Sequence, residues 1–312
     1  MAMTVKTERL ITLFGGGGFI GRYAAQALFR AGARVRIAER HPRRAFFLKP
    51  LCGLGQIQFA RAPLGDEGAV AAAVAGADAV VNLVGILKGR FHKVHVEGAR
   101  GVAEAAAAAG VPALVHVSAI GADPEAASAY GRSKGEGEEA VRAAFPAATV
   151  LRPSIAFGPE DDFVNRIARM ARLLPVIRPA WRLQPVHAAD LGKAIARAAL
   201  DPAPYAGRTF ELGGPQVMTM AELNRWICEA TGRNRALAEI PDSVGRLLAR
   251  LTGWLPLAPV TWDQWLMMSR DNVASGPGFE AFDIRPAPLA AVAEAWLIRY
   301  RRHGRFARAP VS

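Results

Sequence analysis

Tyr130 and Lys134 lie four residues apart at the start of a predicted helix, so their side chains share one face of it. A lysine ammonium beside a phenol lowers the pKa of the phenol, and it can also bond a nucleotide ribose. Ser118 follows a predicted buried strand, at the edge where open α/β sheets bind ligands. We therefore predict a catalytic site in which Tyr130 exchanges a proton with a carbonyl or alcohol, Lys134 tunes it and Ser118 orients the substrate. The same pair also fits a site that anchors a cofactor without turnover.

A glycine-rich loop follows the first apolar run of the chain and precedes an amphipathic segment. Its glycines fit the pattern G-x-x-G-x-x-G, in which the backbone turns tightly and approaches a pyrophosphate. The helix that follows directs its first N–H groups and its positive dipole end at the phosphates. Strand, loop and helix occur in the order that this fingerprint requires. We predict a dinucleotide site whose loop contacts are Gly15, Gly18, Phe19, Ile20 and Gly21.

The residues after the second predicted strand select the cofactor. Glu39 lies 18 residues after Gly21, where a carboxylate accepts a hydrogen bond from the ribose 2′-hydroxyl of NAD. Arg40 and Arg44 follow, and guanidinium groups there would hold the 2′-phosphate of NADP. The two signals conflict, and a solvated basic loop is the third interpretation. We expect all three side chains at the cofactor, with NADP(H) favoured over NAD(H).

These residues belong to a regular alternation of strands and helices. Short buried apolar runs separated by amphipathic helices predict an α/β fold with a doubly wound parallel Rossmann-type sheet. Residues 1–155 form the predicted dinucleotide-binding core, with 180–215 partly returning to it. Residues 156–179 and 216–312 form a smaller, mostly helical lobe. The predicted strands are 10–14, 34–38, 56–60, 79–84, 113–117 and 149–151, and the predicted helices are 20–31, 66–75, 96–109, 130–144, 190–200 and 219–231.

Composition and charge limit the classes of function that this chain can have. The chain has 312 residues, of which 51% are hydrophobic, and this excludes a disordered protein. Its 39 Lys and Arg against 27 Asp and Glu give a formal net charge of +12, which indicates an acidic partner. No nucleic-acid-binding motif accompanies that charge, so we expect no nucleic acid. Cys52 and Cys228 fit a reducing compartment, and no further ligand joins His92, His95 and Glu97, so we expect no metal site.

Two features concern membranes. The first twelve residues lack an apolar signal-peptide region, and the apolar stretches 69–87 and 101–122 are interrupted by Gly and charged residues. We therefore expect no signal peptide and no transmembrane helix. Residues 254–268 are rich in Trp and Met, and the tail after Leu297 is rich in Arg. The Trp-rich stretch fits a docking face for a partner or a bilayer surface, and equally the core of the smaller lobe.

Taken together, the motifs resemble the extended and atypical short-chain dehydrogenase/reductases, in the NAD-dependent epimerase/dehydratase group. Residues 82–85 are similar to that group's loop after the fourth strand, and 152–154 and 157–159 to its segment after the sixth. Residues 185–190 and 210–215 are similar to two later sequence segments of the same group. The chain departs from the group at Pro63, where Asp is common, and at His95, where many members carry Asn. The resemblance implies further cofactor contacts at Leu64, Asn82, Val84, Gly85, Val117, Tyr130, Lys134, Pro153 and Ser154.

Within that group, the chain most resembles the NAD(P)H-binding accessory subunits of respiratory complex I, on residues 21–23, 48–50, 53–56, 145–146, 157–163 and 269–273. The resemblance implies a structural nucleotide, usually NADPH, with Arg40 at the position that faces the 2′-phosphate. It implies complex I subunits of the hydrophilic arm as partners and a cytoplasmic position on the inner membrane face. The C-terminal lobe would then contact the membrane surface.

Two other functions stay open at this point. An active reductase or epimerase would use Tyr130 as its acid and base, on a carbonyl or sugar-nucleotide substrate that the sequence does not name. A redox-sensing module would report the level of NADPH by releasing a partner. Loss of turnover on Tyr130→Phe would indicate the first, and partner release on a change of NADPH/NADP⁺ the second.

Overall fold

The structure of the chain, a computed structural model, describes residues 9–170, 175–233, 238–253, 260–276 and 278–301. Trp254 and most of the arginine-rich tail lie outside these ranges. The strands within them are β1 (Leu10–Phe14), β2 (Arg34–Glu39), β3 (Ile57–Arg61), β4 (Ala79–Asn82), β5 (Leu114–Val117), β6 (Thr149–Pro153), β7 (Ala156–Phe157), β8 (Arg182–Leu183), β9 (Val186–His187), β10 (Thr209–Leu212) and β11 (Met218–Thr219).

Helices account for most of the remaining regular structure. They are α1 (Phe19–Arg30), α2 (Glu67–Val74), α3 (Gly98–Ala108), α4 (Ala129–Ala144), α5 (Phe163–Met170), α6 (Ala188–Leu200), α7 (Met220–Ala230), α8 (Asp242–Thr252), α9 (Trp262–Met267) and α10 (Leu289–Leu297). Three segments are 3₁₀-helical, Pro42–Leu51, Phe279–Phe282 and Ile298–Tyr300, and His92–Glu97 is a π-helix that leads into α3. None of the helices in the described ranges combines the length and the apolar character that a bilayer crossing requires.

Seven of the strands form one parallel sheet with the order β10-β6-β5-β4-β1-β2-β3. The strand order reverses between β1 and β4, and open α/β sheets bind their ligands at the carboxyl ends of such strands. Strands β4 and β5 are buried along their whole length, as expected of parallel strands covered by helices on both faces. The predicted doubly wound Rossmann-type fold with a mostly helical second part is confirmed.

The described residues divide into two compact units. The first comprises those within Met1–Pro153, Ala188–Leu212 and Ser275–Ile284, and the second those within Ser154–His187, Gly213–Ala274 and Arg285–Ser312. The 3₁₀-helix Phe279–Phe282 thus lies in the first unit, whereas the sequence places all of 216–312 in the smaller lobe. Packing explains this difference, because Phe282 is fully buried, stacks on Tyr205 with ring centroids 4.5 Å apart and meets the Phe210 ring at 5.0 Å.

The second unit has its own apolar core. Phe157, Leu183 and Leu223 are buried in one cluster with residues of α5, α7 and α10. A smaller cluster holds Ala249 of α8 and Trp265 of α9. Trp265 is 4% exposed, so this part of the Trp-rich stretch is core and not a docking face.

Candidate functional site

The glycine loop turns sharply between β1 and α1. Gly15 has a φ of +80°, which L side chains rarely adopt, and its carbonyl accepts a hydrogen bond from the Gly18 N–H at 3.0 Å. A Cβ atom on Gly21 would lie 2.3 Å from the Gly15 carbonyl oxygen, so α1 can begin this close to the loop only with glycine there. Phe19 and Ile20 form the first turn of α1, and no side chain caps that turn. This geometry fits a pyrophosphate held by the loop and the start of α1.

Glu39 supports this loop from the end of β2. Its Oε1 accepts a hydrogen bond from the Gly17 N–H at 2.8 Å. Arg40 and Arg44 follow at the start of the 3₁₀-helix Pro42–Leu51, and both side chains are exposed. The structure therefore places the Glu39 carboxylate on the glycine loop and leaves the two guanidinium groups accessible.

Helix α4 places Tyr130 and Lys134. The helix begins where the Ser128 hydroxyl accepts a hydrogen bond from the Gly131 N–H at 3.0 Å, which puts Tyr130 in its first turn. Lys134 lies one turn later and is only 3% exposed. Its Nζ donates a hydrogen bond to the Val117 carbonyl at 2.9 Å, so the lysine ties α4 to the end of β5.

The electrostatics of the pair differ from the prediction. Burial lowers the pKa of Lys134 to about 8, opposed by the nearby Glu138 carboxylate. Part of the Tyr130 side chain is exposed, but burial of its hydroxyl raises the pKa of Tyr130 to about 12. The pKa of Tyr130 is therefore shifted upward, opposite to the predicted lowering by Lys134, because loss of hydration disfavours the charged phenolate.

Polar side chains are buried where β4 and β5 end. Asn82 Oδ1 accepts a hydrogen bond from the Val84 N–H at 3.1 Å and turns the chain after β4. Ser118 is 5% exposed, and its Oγ is buried without a hydrogen bond to any described residue. Leaving a buried hydroxyl unpaired costs free energy, so Ser118 fits a site that a bound group completes. This unpaired hydroxyl and the glycine loop are the two observations that fit a dinucleotide to the first unit.

His95 joins the loop after β4 to α4. Its Nε2 accepts a hydrogen bond from the Ile86 N–H at 2.9 Å, and its Nδ1 lies 2.8 Å from Ser133 Oγ. Burial and the Lys134 charge lower the pKa of His95 to about 4, so the imidazole is neutral at neutral pH. Because Nε2 accepts, the single proton is on Nδ1 and is donated to Ser133, whose hydroxyl donates to the Tyr130 carbonyl at 2.8 Å.

Sequence reasoning noted His95 as a departure from its family and as a member of an incomplete metal-ligand group, and it missed Ser133. Ser133 lies inside the Tyr130–Lys134 spacing, three residues after Tyr130, which is the one sequence signal for its role. The ring of Tyr130 meets those of His95 and Phe91 edge to face at 5.5 and 5.9 Å. Tyr130 is therefore held at two places, at its backbone carbonyl by Ser133 and at its ring by His95 and Phe91.

The other predicted cofactor contacts separate into three groups. Val84 and Gly85 adjoin the site, since a Cβ on Gly15 would lie 3.2 Å from the Val84 nitrogen and one on Gly85 would lie 3.7 Å from His95 Nε2. Leu64 packs on α3. Pro153 ends β6, and Ser154 belongs to the second unit, where its hydroxyl donates to Asn272 Oδ1 at 2.6 Å.

Two further side chains that the sequence singled out have structural partners. Asp66, which follows the unusual Pro63, caps α2 by accepting a hydrogen bond from the Ala69 N–H at 3.0 Å. His92 pairs with Glu97 at 3.2 Å on the surface, while His95 turns inward to Ser133. Within the described residues, no group of three His, Cys, Asp or Glu side chains is placed to hold a metal ion.

Comparison with known proteins relates this site to nicotinamide nucleotides. A family model described as NAD(P)H-binding matches residues 15–161. The NADH-ubiquinone oxidoreductase 40 kDa subunit of Neurospora crassa is 29% identical, over 96% of this chain and 82% of its own. The NADH dehydrogenase (ubiquinone) 1 alpha subcomplex subunit 9 of Mus musculus is 32% identical, over 94% and 80%. A dTDP-glucose 4,6-dehydratase double mutant from Streptomyces venezuelae, solved with NAD, shares the fold with a TM-score of 0.71 at 19% identity, over 95% of this chain and 97% of that one.

Proposed function

The chain belongs to the family of the subunit-9 proteins of the NADH dehydrogenase (ubiquinone) 1 alpha subcomplex, and from this we propose that it is an NAD(P)H-binding accessory subunit of a respiratory NADH:ubiquinone oxidoreductase. Its relatives match it over about four-fifths of their own length, which includes both units. The nucleotide in this proposal is structural. A tightly bound ligand stabilises the native state by mass action and needs no chemistry to do so.

The state of Tyr130 and Lys134 is the observation that supports a structural nucleotide. A general acid or base works best with a pKa near the operating pH, whereas burial places that of Tyr130 at about 12. The Lys134 ammonium is held by the Val117 carbonyl. Lys134 is thus placed to anchor a nucleotide between β5 and α4, with the glycine loop on its phosphates, whereas the Tyr130 hydroxyl is not tuned for proton exchange.

We infer NADP(H) as the nucleotide from the two exposed arginines that follow Glu39. A carboxylate after the second strand can accept a hydrogen bond from the ribose 2′-hydroxyl of NAD, and Glu39 Oε1 accepts one from the Gly17 N–H in the glycine loop. Since a carboxylate accepts several hydrogen bonds, Glu39 by itself does not choose between the two cofactors. Arg40 and Arg44 are exposed beside it and offer charged donors to a 2′-phosphate.

One isolation tests these proposals together. The protein is purified at native abundance from membranes in mild detergent, and its partners and any retained nucleotide are identified by mass spectrometry. We expect subunits of the NADH dehydrogenase and stoichiometric NADP(H), and the Tyr130→Phe variant should retain both, because its hydroxyl is not needed for anchoring. Retained NAD(H) would contradict the inference from Arg40 and Arg44, and isolation without respiratory subunits would contradict the proposed function.

A second candidate function rests on Ser118. Its buried Oγ without a partner is what a reductase or epimerase of this fold would need to orient a substrate carbonyl or alcohol. In that case Tyr130 would exchange the proton and Lys134 would hold the ribose. Nucleotide oxidation that disappears in Tyr130→Phe while nucleotide binding persists would favour this function over the structural one.

We further propose that the subunit lies on the hydrophilic arm at the cytoplasmic membrane face and that α8 contacts the membrane. Val244, Leu247 and Leu251 fall on one side of α8 and are 46%, 58% and 62% exposed. Arg246 and Arg250 are exposed on the same helix. An apolar face with flanking arginines suits the interface of a bilayer that contains anionic lipids.

A further inference from the structure

The segment after β2 exposes apolar side chains that the fold does not use. Phe46, Phe47, Leu51 and Leu54, here called the 46–54 patch, are 41%, 39%, 43% and 107% exposed. They are four of the nine large hydrophobic residues exposed in the described ranges, and they lie within a few positions of one another. Single exposed apolar residues are common, but a concentration of them marks an interaction surface.

The patch is held in place by the first unit. Ala45 and Leu48 of the same 3₁₀-helix are completely buried and anchor it. After the helix, Gln56 Oε1 accepts a hydrogen bond from the Gly53 N–H at 2.6 Å, and its amide nitrogen donates to the Phe29 carbonyl at 3.2 Å. The turn that presents Leu54 is therefore tied to α1, and Leu54 projects from a fixed position.

The charged residues of the segment that carries the patch are all basic. Residues 40–56 contain no Asp or Glu, and the exposed cations among them are Arg40, Arg43, Arg44 and Lys49. Lys49 Nζ lies 4.0 Å from the centroid of the Phe46 ring, and the Arg22 guanidinium lies 4.5 Å from that of Phe47. A complementary surface would therefore be apolar at its centre and bordered by carboxylates.

The same segment touches the nucleotide loop. A Cβ on Gly17 would lie 2.9 Å from the Ala45 Cβ. The Gly17 N–H also donates a hydrogen bond to Glu39 Oε1, directly before the segment. Arg44 is a neighbour of Ala45 in sequence and a predicted contact of the 2′-phosphate. A nucleotide bound at the loop would therefore lie close to the segment that presents the patch.

We propose that the 46–54 patch docks this chain on a neighbouring protein subunit of the same respiratory assembly, into an apolar socket bordered by carboxylates. The proposal rests on the proposed function and adds the surface by which the subunit is held. A protein fits better than a bilayer, because cations cover faces of both phenylalanine rings and Leu54 stands alone on a glycine-bounded turn. A shaped socket can use such a projecting side chain, with the arginines at its rim.

The test replaces Leu54, whose full exposure makes its substitution harmless to the fold. In Leu54→Asp the new carboxylate enters an apolar socket and faces the partner's acidic rim, so we expect recovery with the NADH dehydrogenase in mild detergent to fall about tenfold or more. Val217→Asp in the second unit is the matched control, since Val217 is also an exposed apolar residue at 44%, and its recovery should equal that of the wild type. Both variants should keep their nucleotide.

A photoreactive side chain at position 54 identifies what lies opposite. A cross-link to one subunit of the NADH dehydrogenase supports the proposal, whereas a cross-link to a second copy of this chain or to lipid overturns it. Full recovery of Leu54→Asp overturns it as well and leaves the proposed function intact. If the wild-type chain itself is not recovered with the NADH dehydrogenase, the proposed function fails and this inference fails with it.

Discussion

The imidazole of His95 is neutral because its surroundings leave no place for a second proton. Nε2 is occupied by the Ile86 N–H, and burial penalises the charged ring. In the unfolded chain the same imidazole has its ordinary pKa of about 6.5. Between pH 6.5 and pH 4 the unfolded protein therefore binds a proton that the folded protein does not, and stability falls as the pH falls through that window.

We expect His95→Asn to remove this part of the acid sensitivity. The free energy of unfolding of the wild type should lose of the order of 2 kcal/mol from this histidine between pH 6.5 and pH 4. The variant should be less stable at neutral pH, because its hydrogen bonds change, but it should lose less on acidification. Chemical denaturation at several pH values measures both. Equal losses in the two proteins would show that His95 is not the group responsible, with buried His116, whose pKa burial also lowers, as the next residue to replace.

Sequence reasoning could find Tyr130, Lys134 and the glycine loop, because their roles depend on spacing along one helix or one turn. It could not find the direction in which the pKa of Tyr130 shifts, because that depends on how far its hydroxyl is buried. The His95–Ser133 hydrogen bond was equally out of reach, since it joins residues 38 apart in the chain.

Among the elements, α4 and the π-helix His92–Glu97 approach each other most closely at a glycine. A Cβ on Gly137 would lie 2.1 Å from the His95 carbonyl oxygen, well inside contact distance. The close approach brings His95 within reach of Ser133 on the same helix. Glycine at this position thus sets the distance between two elements of the site.

We expect Gly137→Ala to destabilise the protein by about 2 kcal/mol or more, because backbone must move to admit the methyl group. Gly101→Ala is the matched control, since Gly101 is also helical, lies in α3 and has open space around its Cβ position. That change should stabilise the protein by about 0.5–1 kcal/mol through helix propensity. Thermal unfolding of both variants measures the contrast, and similar midpoints would refute the close approach.

The regular elements of the first unit were readable because buried parallel strands appear as apolar runs between amphipathic helices. The 3₁₀-helix Pro42–Leu51 was not, since it contains Pro50 and its short buried face gives no regular period. The π-helix at 92–97 escaped for a similar reason, as one extra residue per turn leaves no mark on a pattern this short. Both irregular elements lie beside the candidate site.

For the whole molecule, the excess of positive charge and the apolar face of α8 predict binding to anionic membranes. We expect the protein to sediment with vesicles of phosphatidylcholine containing phosphatidylglycerol, and less so as salt rises. Leu247→Asp with Leu251→Asp should reduce that binding severalfold, because a charge at the acyl boundary costs more than the lost apolar area alone. Leu54→Asp serves as the control and should bind vesicles like the wild type. If the α8 variant binds vesicles as well as the wild type does, α8 does not contact the membrane.

The return of Ser275–Ile284 to the first unit has a consequence for how the chain is made. Translation proceeds from the N-terminus, and domains tend to fold as they leave the ribosome. Here the aromatic cluster of Tyr205, Phe210 and Phe282 closes only when Phe282 has emerged, well after the two rings on which it packs. Until then the faces of Tyr205 and Phe210 that Phe282 covers remain exposed to water. A ribosome that stalls before Phe282 therefore leaves the first unit with an uncovered apolar surface beside β10, the strand at the edge of its sheet.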